Sequence, residues 1–211
     1  MLYNRDMGNI VGSREISSVE NDVILGSILG DGCLEKNGKN VRLKITHSAK
    51  QKEYLFWKYD LLKNISTKPR YSKGSYHKKT NKFYGRWGFS TKTLPDLLNY
   101  YNKFYIQGRK SIPNDMSNLE FSKLAFAIWY MDDGCKRTDC NAFRISTDSF
   151  NYNEQLILKD LILERLSITS KIHRKAKTWN LYIPNKHAND FIEHIYPFVI
   201  DSMKYKISLT P

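Results

Sequence analysis

The chain has 211 residues, 41% of them hydrophobic and 26% charged, a composition that buries a core in water. A formal charge of +13 and a pI near 9.5 call for a polyanionic partner, nucleic acid first. Cys33, Cys135 and Cys140 are odd in number and lack CxxC spacing, which argues against a disulfide framework and against zinc. The sequence shows neither a signal segment nor an apolar run of the roughly 18 residues a membrane span needs, which predicts a soluble, intracellular protein with no membrane partner.

Residues 1–16 read as a loose polar arm. Ser17-Ser18-Val19-Glu20 is a capping-box pattern, so a helix is expected from Ser17 to Asp31. A turn at Asn37-Gly38-Lys39-Asn40 leads to an alternating strand over 41–47. Ser48 is expected to cap a helix that carries Tyr54, Leu55, Lys58, Leu61 and Leu62 at helical spacing. Residues 68–89 read as two strands around a long loop at 74–82. Pro95 opens a helix with Leu97, Leu98, Tyr101 and Phe104 on one face. A basic tail, Gln107-Gly108-Arg109-Lys110-Ser111-Ile112-Pro113, follows.

The order then repeats. Ser117-Asn118-Leu119-Glu120 reads as a second capping box, with a helix to Asp133. A strand over 142–147 and a helix capped by Asn151 with Glu154 come next. Strands follow at 171–175 and 179–183, then a helix from Asn185 and a tail, Ser202-Met203-Lys204-Tyr205-Lys206-Ile207. Each half reads α-β-α-β-β-α plus a basic tail, which is the pattern of a fused dimer with halves 17–114 and 115–211.

Two apolar runs dominate this repeat, Ile24-Leu25-Gly26-Ser27-Ile28-Leu29-Gly30-Asp31-Gly32 and Phe126-Ala127-Ile128-Trp129-Tyr130-Met131-Asp132-Asp133-Gly134. Each ends in an Asp before a Gly, and Gly32 and Gly134 are expected to take the left-handed C′ conformation. A carboxylate at a helix C-terminus meets the negative end of the dipole, so a cation is its natural partner. Asp31 and Asp133 are therefore the candidate acids for a hard divalent ion that assists phosphodiester hydrolysis. Lys110 and Lys206 hold matching places in the tails, from which they could stabilise transition-state charge. The backbone carbonyls of Gly30 and Asp132 are candidate additional ligands, the Asp132 side chain pointing elsewhere. Gly26 and Gly30 form a small-residue stripe that the second run answers with Ile128 and Asp132, so close packing of the two helices must be asymmetric.

The excess charge is concentrated on the strands. Between Asp60 and Asp96 no acid occurs, while Lys68, Arg70, Lys73, Lys78, Lys79, Lys82 and Arg86 do, interleaved with aromatic residues. Between Glu164 and Asp190 the same holds for Lys171, Arg174, Lys175 and Lys177. With Arg42, Lys44 and Arg144 these form the candidate DNA-binding set; Arg70, Arg86, Arg144 and Arg174 suit guanine reading.

The two quoted runs, with the tails at 108–113 and 203–206, resemble the paired motifs of single-chain LAGLIDADG homing endonucleases, closest to the type encoded in mitochondrial large ribosomal RNA introns. The resemblance covers residues 17–207. It implies an α+β fold of two pseudo-symmetric αββαββα-like halves, motif helices at the central interface and antiparallel sheets forming a DNA-binding saddle. It also implies a monomer that cuts both strands of double-stranded DNA with Mg²⁺, Mn²⁺ substituting, and leaves short 3′ overhangs. Asp31 and Asp133 would hold the metal, with Lys110 and Lys206 nearby. Some members are intron RNA maturases, which makes intron RNA the alternative partner. A non-catalytic DNA-binding regulator is the third reading, and no stretch remains to supply the separate DNA-binding domain that it usually carries. The expected compartment is an organelle, or a bacterial or phage-infected cytoplasm.

Overall fold

The computed structural model describes residues 15–208, so the arm expected over 1–16 falls outside the described residues up to residue 14. The first motif helix, α1 (Ser18–Leu29), opens on the expected capping box: the Ser17 side chain accepts from the Glu20 amide and Glu20 accepts from the Ser17 amide. β1 (Cys33–Asn37) and β2 (Asn40–Ser48) form a hairpin whose Asn37–Asn40 turn uses Gly38 at φ +62°. β1 is a strand that the sequence reading missed, because its alternation is short and its last three residues are polar. After a single 3₁₀ turn comes α2 (Lys52–Leu62), with no side-chain cap from Ser48.

The expected pair of strands around a loop is β3 (Arg70–Ser72) and β6 (Arg86–Ser90), and a small hairpin of β4 (Tyr76–His77) and β5 (Lys82–Phe83) lies inside that loop. α3 (Pro95–Phe104) begins with Pro95 in its first turn. β7 (Tyr105–Ile106) and β8 (Arg109–Lys110) then turn the chain back and bring Lys110 inward.

The second motif helix, α4 (Lys123–Asp133), starts later than the sequence suggested. Ser122, not Ser117, is its N-cap; residues 116–118 form a 3₁₀ turn. The cause is tertiary. Met116 and Phe121 are buried, the Glu120 carbonyl accepts from the Asn21 side-chain Nδ2 at 3.0 Å, and Asp22 accepts from both the Ser122 backbone amide and hydroxyl. The segment is thereby held across the start of α1 instead of coiling. β9 (Gly134–Lys136), also missed, pairs with β10 (Phe143–Ile145). α5 (Tyr152–Leu166) carries the capping box of Asn151 and Glu154. β11 (Lys171–Lys175), β12 (Thr178–Ile183) and α6 (Ala188–Ile195) complete the half.

Each half thus builds a four-stranded antiparallel sheet, ordered β1-β2-β6-β3 and β11-β12-β10-β9. β1 and β9, the strands that leave the two motifs, both stand at a sheet edge. α1 and α4 pack against each other and against the sheets, which is why they are apolar on every side and buried almost throughout. Their approach is asymmetric, as expected. A Cβ on Gly26 would lie 2.6 Å from the Ala125 carbonyl oxygen and 2.9 Å from Ile128 Cβ, and one on Gly30 would lie 2.4 Å from Asp132 Oδ2. One expectation fails: neither Gly32 nor Gly134 has a positive φ, and Gly134 is extended at φ −80°, ψ 149°. They are glycines for closeness. A Cβ would meet the Ser27 carbonyl oxygen at 2.7 Å or the Tyr130 ring at 2.2 Å. The chain passes straight from each motif into a strand.

Candidate active site

Asp31 and Asp133 stand at the ends of the two packed motif helices, where the chain turns into β1 and β9. Lys110 reaches the first motif from β8, and its ammonium donates to the carbonyls of Gly30 at 3.1 Å and Gly32 at 2.9 Å. Lys206 does the same at the second motif, donating to Met131 at 2.6 Å and Asp132 at 3.0 Å. Each tail lysine is therefore held by its own motif's backbone, against the negative end of the helix dipole. The Gly30 and Asp132 carbonyls, expected as metal ligands, are those that receive these ammonium groups. The Tyr130 hydroxyl, donating to the Lys206 carbonyl at 2.7 Å, fixes the second tail from beneath.

The Asp132 side chain occupies the space that Gly30 leaves. Its carboxylate is fully buried, contacts the equally buried Lys58 ammonium at 2.7 and 2.8 Å, and accepts from the Tyr54 hydroxyl at 2.8 Å and the Asp31 amide at 3.1 Å. Tyr54 and Lys58 belong to α2, so this acid of the second motif is neutralised by the first half. His47 completes the network: Nδ1 lies 3.4 Å from Asp31 Oδ2, and Nε2, which has no hydrogen-bond partner among the described residues, lies 3.8 Å from Asp132 Oδ1. The sequence reading did not assign a role to His47, Tyr54 or Lys58. The signals were present: His47 shares the buried parity of Val41, Leu43 and Ile45, and Lys58 lies on the apolar stripe of its helix.

These contacts separate the acids electrostatically. The hydrogen bond from His47, with smaller contributions from the charges on His47, Lys58 and Lys206, holds the Asp31 carboxyl below its ordinary range against the opposing effect of burial. Burial, then the charges of Asp132 and Asp31, push Asp133 up to about 7 despite Lys110 and Lys206. Burial also lowers both lysines, against the opposing pull of the same acids. Crowding of this kind is what a divalent cation relieves. Asp31, His47 and Asp132 bring ligand-type atoms within 4.8 Å of one another, but both Asp132 oxygens are committed to Lys58. The Asp31 carboxylate, 44% exposed, and the half-buried Asp133 remain open to a hard ion that prefers oxygen.

The DNA-binding candidates fall on the sheets and on the loops that join their strands. Arg42, Lys44, Lys68, Arg70 and Arg86 line one groove of about 760 Å³ on the first sheet. Lys73, Lys78, Lys79 and Lys82 lie on or beside the small hairpin and are exposed. Glu35 offsets part of this charge, pairing with Arg42 at 3.0 Å and Lys44 at 2.9 Å. In the second sheet Lys171, Arg174, Lys175 and Lys177 are exposed, and half-buried Arg144 stands opposite Cys135. Arg174 lies over the Trp179 ring at 5.8 Å, and Lys175 is 3.5 Å from Asp148.

Residues 21–191 match the LAGLIDADG DNA endonuclease family. The chain is 30% identical over 210 residues to DNA endonuclease I-ChuI of Chlamydomonas applanata, covering 92% of this chain and 96% of that protein. It is 29% identical over 198 residues to cytochrome b mRNA maturase bI2 of Debaryomyces hansenii, covering 88% and 72%. The fold is that of the homing endonuclease I-WcaI bound to its DNA recognition sequence, with a TM-score of 0.83 at 23% identity over 94% of this chain and 89% of that one.

Proposed function

This chain belongs to the LAGLIDADG DNA endonuclease family, and from that premise we propose that it is a homing endonuclease that hydrolyses both strands of a long DNA target. The observation that carries this reading is the pairing of Asp31 and Asp133 at the ends of packed helices, each beside a lysine hung on its own motif's carbonyls. Two half-sites, one per half, suit a duplex with two scissile phosphates. The sheets hold the target by phosphate and groove contacts through Arg42, Lys44, Lys68, Arg70 and Arg86 on one side. Arg144, Lys171 and Arg174 do so on the other. The halves 17–114 and 115–211 act as one monomer.

Asp31 and Asp133 would hold the divalent ion, Mg²⁺ with Mn²⁺ as substitute, with the Gly30 and Asp132 carbonyls at the edge of its site. When bound, the ion supplies Lewis-acid stabilisation of charge on the phosphate and a more acidic water. The chain's own contribution is positional. Lys110 and Lys206 are fixed donors near the place where phosphate charge develops. His47 holds Asp31, and Lys58 with Tyr54 keeps Asp132 from adding an unpaired charge beside it.

The test is cleavage of a randomised duplex library, with the cut ends sequenced in Mg²⁺ and, separately, in Ca²⁺. One long site cut on both strands in Mg²⁺ alone supports the nuclease; selective binding without cutting in either ion supports a DNA-binding regulator. The likeness to the bI2 maturase favours intron RNA as the second reading. Absence of any duplex preference, with retained binding to an intron transcript, would select it.

A further inference from the structure

Residues 73–85 separate the paired positions Ser72 and Arg86, whereas in the second half the equivalent hairpin turns through Ala176 and Lys177 alone, between Lys175 and Thr178. The excursion carries Tyr76, Phe83 and Tyr84, exposed by 49%, 47% and 53%. β4 and β5 make a two-stranded ribbon of two residues each, paired with no other strand among the described residues, so these rings have no larger sheet to pack under. They are nonetheless tied to their neighbours. The Tyr84 hydroxyl donates to Thr80 Oγ1 at 3.0 Å, Tyr76 donates to Asn81 Oδ1, and the Tyr76 and Phe83 ring centroids are 5.3 Å apart. Gly74 and Asn81 take the positive φ values that close the ribbon, and a Cβ on Gly74 would strike the Tyr84 carbonyl oxygen at 2.1 Å.

The ribbon is also strongly cationic. Lys78, Lys79 and Lys82 accompany the rings, Lys73 lies 4.1 Å over Phe83, and no acid occurs between residues 73 and 85. Ser72, Gly74 and Ser75 line the groove that holds Arg42, Arg70 and Arg86, so the ribbon continues the nucleic-acid surface outward. A cluster of half-exposed rings among lysines suits one ligand chemistry: the flat π-faces of nucleobases attached to phosphates.

We propose that residues 73–85 form a one-sided base-stacking clamp, in which Tyr76, Phe83 and Tyr84 engage a base step opened in the target's outer flank on the first half's side. The inference rests on the DNA-cleavage reading and deepens it: the target extends further, and is more distorted, on one side than on the other. Holding the rings in advance lowers the ordering cost of that contact.

The experiment uses the full chain and its Y76S/F83S/Y84S variant, with the selected target and versions shortened at either outer flank, binding measured in Ca²⁺. The variant should lose about 10- to 100-fold in affinity for the full target, within the range for one stacked base. It should lose little on the version shortened at the clamped flank, and as much as before on the version shortened at the other. 2-Aminopurine in the clamped flank should change fluorescence on binding wild type and not on binding the variant. Equal loss on every duplex, or no loss on any, overturns the clamp while leaving the nuclease reading intact. A wild-type chain that selects no duplex overturns both.

Discussion

Gly30 and Asp132 stand at equivalent places in the two motifs, and the contact between them accounts for both residues. The Asp132 carboxylate needs the volume that a Gly30 side chain would fill, and it needs Lys58 because an unpaired charge could not stay there. In the proposed reading the neighbouring acids, Asp31 and Asp133, carry the chemistry. Asp31→Asn and Asp133→Asn should each retain DNA affinity and abolish double-strand cleavage; a gel assay showing unchanged linearisation by either variant would remove that residue from the site. Asp133 also predicts a pH effect on the metal-free protein. Its carboxyl ionises near 3.8 when unfolded and near 7 when folded, so the folded state binds more protons between these values. Its contribution to stability therefore falls as pH rises through that window. In chelator, Asp133→Asn should melt progressively higher than wild type as pH rises from about 5 to 8, although it is inactive; a constant difference in Tm would contradict the raised carboxyl.

At the scale of elements, α1 and α4 are joined by shape, and α2 is joined to α4 by one buried charge pair. Substituting Lys58 by Met leaves Asp132 buried without its cation and should cost about 3–5 kcal/mol in chemical denaturation, with Asp132→Asn in the same chain recovering part of it. Gly26→Val should cost roughly 1–3 kcal/mol or more, because its side chain meets backbone at Ala125, which cannot rotate away. The same substitution at an exposed glycine such as Gly38, with nothing within 4 Å, tests turn strain instead of helix contact. The tails are elements of the site as well: Ser111 and the Ile112 amide donate to Glu154 at 2.7 and 2.9 Å, which ties the end of the first half to α5 of the second.

For the whole molecule, one buried core runs from Val23 through α1 and α4 to Ile207, so the two halves share their interior. The chain carries a net charge of +13, and DNA affinity should fall steeply with salt. Lys68→Ala, at the rim of the basic groove, should weaken binding to all duplexes alike and reduce the salt slope by about 1; a change confined to one sequence would make it a base reader instead. Among the described residues no helix is long and apolar enough to cross a membrane.

Most of this architecture was legible in the sequence because it rests on local rules. Ser17 with Glu20 and Asn151 with Glu154 begin helices by backbone capping. The two apolar runs, each ending in Asp-Gly, mark the repeat, and the absence of acids marks the sheets. The start of α4 was misplaced because burial of Met116 and Phe121 and the acceptors on Asp22 overrode a good capping pattern at Ser117. β1 and β9 were invisible because short edge strands depend on a partner strand for their hydrogen bonds. The burial of His47 and Lys58 had a local signal, but their pairing with Tyr54 and Asp132 is set by tertiary structure: the members come from β2, α2 and the opposite half. Only the approach of α1 to α4 brings their charges into a space dry enough to require pairing.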